Sequence, residues 1–321
     1  MINSRIARVT TALIGIVIAG LLGVISASYG NDIQNARDRV ATGAKMVDTR
    51  CGPIEYAEAG KGPAVLVVHG SGGGYDQGMD FGKSLAGNGF RVIAMSRFGY
   101  LRTPLPADAS AAAQADAHAC LLDELNIRTT AIIGASAGAP SSMQFALRYP
   151  ERTRALVLVV PAAFMPRPGN APPTKTPAWT EFLFGTALRS DFLFWTATKL
   201  ARPTLMRALL ATPTEDIENA SPVERARVDT VLAHIMPVSS RRLGLLNDAA
   251  VVSSLRRYEL EKIKAPTLAI SVANDLFGTF EIARYTAANV PGARFVGYET
   301  GGHISVGHSE DITREIADFL K

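Results

Sequence analysis

Cysteine and runs of positive charge are scarce in this sequence. Its 321 residues include only two cysteines, Cys51 and Cys120, which are too few for a disulfide scaffold or for a zinc site of the usual spacing. Cys120 falls in a predicted helix and Cys51 near an early predicted strand, so we expect two unpaired thiols, with a bridge between them as the alternative. The net charge of +4 is spread along the chain without a run of Lys or Arg, and we therefore expect no nucleic-acid partner.

Charge is absent altogether from residues 9–27, a mostly apolar run that follows Arg5 and Arg8. As a helix these 19 residues would extend about 28 Å, close to the roughly 30 Å of a bilayer's hydrocarbon core. We predict that residues 1–28 anchor the protein in a membrane through residues 9–27. Because the upstream arginines favour a cytoplasmic N terminus, the remaining chain would be translocated. The alternative is a cleaved signal, giving a secreted or periplasmic product, since residues 26–28 are small.

After a polar connector predicted over residues 29–51, short apolar runs alternate with helix-like stretches. Runs of about five apolar residues are typical of strands that are buried on both faces of a parallel sheet. These runs occupy residues 64–68, 91–95, 130–133, 155–160, 267–272 and 293–298. The alternation predicts an α/β domain over residues 52–321 with a doubly wound, mostly parallel sheet, preceded by the N-terminal hydrophobic helix.

The alternation stops between residues 161 and 262, where no run of that strand type occurs. We predict that this stretch is a mostly helical cap, inserted over the carboxyl ends of the strands. Its aromatic side chains are expected to form the core of the cap or, alternatively, an apolar acyl pocket or a membrane-facing lid. They are Trp179, Phe182, Phe184, Phe192, Phe194 and Trp195.

The segment Gly134–Gly138 reads Gly-Ala-Ser-Ala-Gly and lies between a predicted strand and a predicted helix. A serine on such a tight turn projects its hydroxyl above the sheet, and the two glycines let neighbouring backbone pass without a Cβ clash. The segment lacks the glycine spacing of a dinucleotide fingerprint. We therefore interpret Ser136 as a nucleophile and not as part of a cofactor-binding turn.

A serine hydroxyl is a poor nucleophile at neutral pH, so it needs a base, and the base needs an acid that orients it. Asp275 and His303 each follow a predicted strand, which assigns both to the sheet edge where Ser136 is expected. The rival acid is Asp248, which falls in a predicted helix. The rival histidine is His308, five residues after His303.

With these motifs in the order Ser136, Asp275, His303, the chain resembles α/β-hydrolases of the serine-nucleophile, esterase/lipase-like branch. The resemblance covers roughly residues 52–321. It implies that Ser136 is the nucleophile, that His303 is the general base and then the general acid, and that Asp275 orients His303.

The loop His69-Gly70-Ser71-Gly72 resembles the oxyanion loop of the same family. By this resemblance, the backbone N–H groups of Ser71 and Ala137 would bind the oxyanion, with Gly72 as an alternative to Ser71. Relatives often carry an aspartate and an arginine after the following strand. Here a serine precedes Arg97, so the shape of that second loop is left open.

The implied activity is hydrolysis of a small, apolar, ester-like substrate through an acyl-enzyme, with no metal and no organic cofactor. A hydrolase that cleaves a carbon–carbon bond of vinylogous diketones is an alternative on the same fold. It would need an arginine in the pocket, for which Arg189 and Arg202 are candidates. A non-enzymatic ligand-binding protein on the same scaffold is an alternative of another class. Substrate identity and oligomeric state are left open.

Overall fold

The computed structural model describes residues 2–166 and 188–321, with side chains from residue 9 onward. The described strands are β1 (Lys45–Thr49), β2 (Gly52–Ala59), β3 (Ala64–Val68), β4 (Arg91–Met95), β5 (Thr130–Ala135), β6 (Thr153–Val159), β7 (Thr267–Val272) and β8 (Arg294–Tyr298). The described helices are α1 (Ile2–Thr42), α2 (Tyr75–Gly87), α3 (Ala111–Glu124), α4 (Ala139–Arg148), α5 (Asp191–Leu200), α6 (Arg202–Leu209), α7 (Thr214–Glu218), α8 (Pro222–Ala233), α9 (Arg242–Ser253), α10 (Thr279–Asn289) and α11 (Ser309–Leu320).

All eight strands form one sheet in the order β1-β2-β4-β3-β5-β6-β7-β8. The strands from β4 to β8 in this order pair in parallel, and β1 and β2 are antiparallel additions. Two separate hydrophobic clusters cover the two faces of the sheet. Because both faces are buried, the central strands are apolar along their whole length. The predicted fold class, a doubly wound and mostly parallel α/β sheet behind an N-terminal hydrophobic helix, is confirmed.

The register of the sheet brings particular loops together at its carboxyl edge. Val68 at the end of β3 lies opposite Gly134 in β5, so the loop after β3 and the turn after β5 leave the sheet side by side. Val272 at the end of β7 lies opposite Tyr298 at the end of β8, which brings the next two loops together in the same way. Four loops therefore border one region above the sheet.

The segment predicted as a connector is more regular than expected. Helix α1 continues without a break to Thr42, and β1 follows it and pairs with β2. Residues 29–42 remain helical because one side of the helix packs against the helices between β6 and β7, where Ile33 and Ala36 are buried. Since β1 forms the edge of the sheet, β2 is paired on both sides.

The prediction of two unpaired thiols was wrong, because Cys51 and Cys120 form a disulfide. Cys51 lies in the tight turn between β1 and β2, where its N–H donates to Thr49 Oγ1. This turn packs against α3, which carries Cys120, so two residues separated by 69 positions in sequence have Cα atoms 6.1 Å apart. The bridge fastens the outermost hairpin of the sheet to a helix that covers its face.

Between β6 and β7 the described residues form five helices, α5 to α9, and no strand. Phe194 and Trp195 are buried in this helical cluster, in keeping with the expected cap core, whereas Phe192 remains partly exposed. The other three aromatic residues of the predicted cluster, Trp179, Phe182 and Phe184, lie outside the described residues.

Candidate active site

Ser136 lies on a sharp turn between β5 and α4. Its φ angle is 48°, in the left-handed region that a residue with a side chain rarely adopts. The two positions that flank it have no space for a side chain, so only glycine fits there. A Cβ on Gly134 would come within 2.6 Å of Ser142 Oγ, and a Cβ on Gly138 within 2.7 Å of the His69 carbonyl oxygen. The turn therefore requires glycine on both sides of a strained serine.

The structure brings His303 and Asp275 to this serine. Ser136 Oγ donates to His303 Nε2 across 2.9 Å, and His303 Nδ1–H donates to Asp275 Oδ2 across 2.8 Å. His303 lies in the loop after β8, where its backbone N–H donates to the Ala211 carbonyl at the end of a cap segment. The Phe277 ring and the imidazole pack edge to face with centroids 4.9 Å apart.

Asp275 is buried and held by more than the histidine. The backbone N–H of Phe277 donates to Asp275 Oδ1 across 2.8 Å, and the Thr279 hydroxyl donates to Asp275 Oδ2. Burial alone would raise the pKa of Asp275. The hydrogen bond and charge of His303, with the donors Thr279 and Phe277, outweigh burial and hold this pKa below its usual value. The carboxyl is therefore ionised at neutral pH and can stabilise a protonated His303.

A cavity of about 2200 Å³ opens above these three side chains and is lined by both Ser136 and His303. Ser71 and Ala137 also line it, on the side of the loop after β3. The cap contributes mainly apolar side chains to the wall, among them Phe194, Leu209, Ile235, Leu245 and Val252. The arrangement can activate a hydroxyl next to a large apolar space.

A family model described as the α/β hydrolase fold matches residues 63–307, which include every element of the site described above. The chain belongs to the α/β-hydrolase fold family.

Three similar proteins show how closely this chain matches other proteins in sequence and in structure. YcgS, an uncharacterized hydrolase of Bacillus subtilis, is 40% identical over 108 residues, which are 33% of this chain and 37% of the relative. A 2-hydroxy-6-oxononadienedioate/2-hydroxy-6-oxononatrienedioate hydrolase of Paraburkholderia xenovorans is 27% identical over 285 residues, or 83% of this chain and 90% of the relative. The solved structure of an α/β hydrolase fold protein from Nakamurella multipartita is 27% identical with a TM-score of 0.65, over 86% of this chain and 98% of its own.

The loop after β3 of this α/β hydrolase is shaped by a buried histidine. His69 Nδ1–H donates to the Gly70 carbonyl, and His69 Nε2 accepts the backbone N–H of Arg97. Burial, and then the nearby charge of Arg97, hold the pKa of His69 well below its usual value, so the ring is neutral. The backbone N–H of Gly72, the alternative oxyanion donor, is directed to the Tyr100 hydroxyl at 3.3 Å.

The rival histidine His308 and the rival acid Asp248 make contacts elsewhere. His308 stacks on the Tyr298 ring, with centroids 4.4 Å apart, and its Nδ1 lies 3.9 Å from an Asp311 oxygen. Asp248 in α9 is the centre of a buried ion pair, in which Arg97 donates to both of its oxygens at 2.6 and 2.7 Å. Neither contact involves Ser136.

Asp248 lies in a helix as predicted, but its contacts beside the site were not predicted from the sequence. It also accepts hydrogen bonds from the Tyr100 hydroxyl at 2.5 Å and from Ser71 Oγ at 2.9 Å. Burial, and then the charge of Asp248, raise the pKa of Tyr100 well above its usual value. A cap helix is thereby joined to the loop after β3 and to the loop after β4. The only signal in the sequence was Arg97, a cation placed directly after a buried strand.

The arginines expected to recognise an acidic substrate do not line the cavity. Arg202 pairs with Asp229 on the cap, and neither Arg189 nor Arg202 is among the described residues that line the cavity. Arg227 lines the cavity but donates to Glu224 and to the Ile304 carbonyl. No group of three or more His, Cys, Asp or Glu residues that could hold a metal ion occurs within residues 2–166 and 188–321.

We expect Asp248→Asn to lower the free energy of unfolding by about 3–5 kcal/mol, because it leaves the buried Arg97 without its counter-charge. The matched control is Asp229→Asn, which breaks the exposed pair with Arg202 and should cost about 0–1 kcal/mol. Denaturant unfolding followed by circular dichroism measures both. Equal small losses in the two variants would contradict the role assigned to Asp248.

Proposed function

We propose that this protein is a serine hydrolase that cleaves an ester-like carbonyl substrate through an acyl-enzyme. The observation that carries the proposal is the unbroken chain of hydrogen bonds from Ser136 through His303 to Asp275, at the wall of a large apolar cavity. In this role Ser136 is the nucleophile, His303 the general base and then the general acid, and Asp275 the residue that orients the imidazole.

In the proposed mechanism His303 Nε2 removes the hydroxyl proton as Ser136 Oγ attacks the substrate carbonyl carbon. The backbone N–H groups of Ser71 and Ala137 stabilise the resulting oxyanion, an effect typically worth about 3–4 kcal/mol for each donor. The protonated His303 then gives its proton to the leaving alkoxide, and the acyl group stays on Ser136. A water molecule, deprotonated by His303, repeats the sequence and releases the acid. No step calls for a metal or an organic cofactor.

The surroundings of the site favour a neutral, apolar acyl group. The cap supplies mostly aliphatic and aromatic side chains to the cavity wall, and such surfaces bind apolar ligands well. The arginines that line or adjoin the cavity are already engaged: Arg97 pairs with Asp248, Arg227 with Glu224 and Arg314 with Asp311. A substrate with free carboxylates would have to compete with these pairs, which supports a carboxylesterase-like or lipase-like activity.

A carbon–carbon bond hydrolase is the second candidate, and the name of the Paraburkholderia relative favours it. The same serine, histidine and aspartate would serve that reaction. Recognition of an acidic diketone would then depend on Arg227, which would have to exchange its contacts with Glu224 for the substrate.

We expect the protein to hydrolyse p-nitrophenyl esters and Ser136→Ala to lower kcat/KM by a factor on the order of 10⁶, the usual result of removing the nucleophile of such a group. Ser253→Ala is the matched control, because Ser253 lines the same cavity but donates to the Ala250 carbonyl. A panel of esters of increasing chain length, together with a vinylogous diketone, measures both activity and preference.

Each result of this panel has a definite reading. Hydrolysis of the diketone with no turnover of any ester would replace the proposed activity by the second candidate. Equal measurable rates for the wild type and Ser136→Ala would contradict the role of Ser136 in either reaction. No turnover of any ester or of the diketone by the wild type would leave a binding protein on the hydrolase scaffold.

We further propose that α1 anchors the protein in a membrane through residues 9–27, with the hydrolase domain translocated. Within the described residues α1 is the one helix long and apolar enough to cross a bilayer, and its apolar segment is not buried in the protein. The disulfide between Cys51 and Cys120 supports translocation, because disulfides persist mainly in oxidising compartments.

The full-length protein is therefore expected to stay with the membrane pellet after an alkaline carbonate wash. Deletion of residues 2–24 should release it, because this change removes most of the apolar segment but keeps the part of α1 that packs against the cap. If the complete gene is expressed and the protein is recovered in soluble form with its first residue near Tyr29, the apolar segment is a cleaved signal and not an anchor.

A further inference from the structure

Helix α1 packs against the hydrolase domain from the end of its apolar run onward. Ile25, Tyr29, Ile33 and Ala36 follow one another at intervals of three or four residues, so they share one side of the helix. Ile33 and Ala36 are buried against the cap, and Ile25 and Tyr29 pack at the edge of the same cluster. Residues 9–24 are all exposed. The docked part of α1 therefore starts at the end of the apolar run.

Polar contacts fix this part of α1 in place. Trp195 Nε1 of α5 donates to Asp32 Oδ2 across 2.8 Å, and Lys199 of α5 lies 3.2 Å from the same oxygen. Further along α1, Arg39 pairs with Asp76 and donates to the Met236 carbonyl at 2.6 Å. Because the helix is continuous and held at several points, the direction of its apolar segment sets the orientation of the whole hydrolase.

The rise of the helix gives the depth at which α5 would lie. If the hydrocarbon core ends near Ala27, Tyr29 lies about 3 Å beyond it and Asp32 about 8 Å, at 1.5 Å per residue. The headgroup layer on one side of a bilayer is roughly 5–7 Å thick. Tilting α1 would bring both residues closer to the core. Since α5 contacts Tyr29 and Asp32, it belongs at the level of the headgroups.

The side chains of α5 suit that level. Phe192 and Trp195 pack around the Tyr29 ring, with centroids 5.1 and 5.6 Å away, and form an aromatic cluster of the kind enriched at membrane interfaces. Three large apolar side chains of this helix are exposed: Phe192 at 41%, Leu193 at 47% and Leu200 at 82%. Leu193 and Leu200 are seven residues apart and share one face of the helix.

We propose that α5 is a second membrane contact, which lies in the headgroup layer of the bilayer that α1 crosses and presents Leu193 and Leu200 to the lipid. This inference rests on the anchor proposed for α1. Phe194 of the same helix lines the cavity, so the contact would put the cavity wall about one helix diameter, roughly 10 Å, from the lipid.

Three variants of the full-length protein, each with one introduced cysteine, test the inference in phosphatidylcholine vesicles. The two native cysteines are bonded to each other, so a spin label attaches only to the introduced thiol. Leu200→Cys reports on α5 and Ile16→Cys on the middle of the apolar run. Lys61→Cys is the aqueous control, since Lys61 is exposed in the turn before β3, at the sheet edge opposite Ser136.

Collision of the label with oxygen and with a water-soluble nickel chelate measures its depth. We expect the oxygen-to-nickel ratio at Leu200 to be several-fold above that at Lys61 and below that at Ile16. An oxygen-to-nickel ratio at Leu200 equal to that at Lys61, together with a high ratio at Ile16, would overturn the contact of α5 with the membrane and leave the anchor standing. An oxygen-to-nickel ratio at Ile16 equal to that at Lys61 would overturn both the anchor and the contact of α5.

Discussion

The two hydrogen bonds of the His303 ring are the contacts on which the rest of the site depends. One nitrogen accepts from Ser136 and the other donates to Asp275, so the position of a single loop after β8 determines whether the three side chains meet. That loop is held from the cap by the Ala211 carbonyl and from the neighbouring loop by Asn274, whose Oδ1 accepts the Gly302 N–H. The sheet register brings the loops together, and the cap completes their alignment.

Buried charges connect the cap to the Gly-rich loop after β3. Arg97 in the loop after β4 pairs with Asp248 of α9 and also donates to the Gly70 carbonyl of the loop after β3. Arg241, fully buried, pairs with Asp76 and donates to the Gly73 carbonyl. Burial alone would raise the pKa of Asp76, but Arg241 and Arg39 outweigh it and hold the carboxyl ionised. Because an unpaired buried charge is costly, these pairs restrict the loop and the cap to one arrangement. Arg39 adds α1 to the same set of contacts.

The sequence predicted those parts of the structure that local chemistry determines. A strand, a tight turn with two glycines and a helix identify the position of Ser136, and the strand ends before Asp275 and His303 assign them to the same edge. Contacts between distant segments were missed. The disulfide of Cys51, the pairing of β1 and the ion pair of Asp248 each join residues whose proximity arises only when the sheet and the cap assemble. β1 is as long as β3 and β4, but it lies at the exposed edge of the sheet and therefore has no continuous apolar run to identify it.

The most direct test of the central claim is covalent labelling of the full-length protein with a fluorophosphonate, followed by peptide mass spectrometry. A serine activated by His303 should form a single adduct, on Ser136, because labelling requires an ionisable hydroxyl beside a base. The adduct should be absent from Ser136→Ala and strongly reduced in His303→Gln. An adduct on a different serine, or equal labelling of the wild type and Ser136→Ala, would contradict the account.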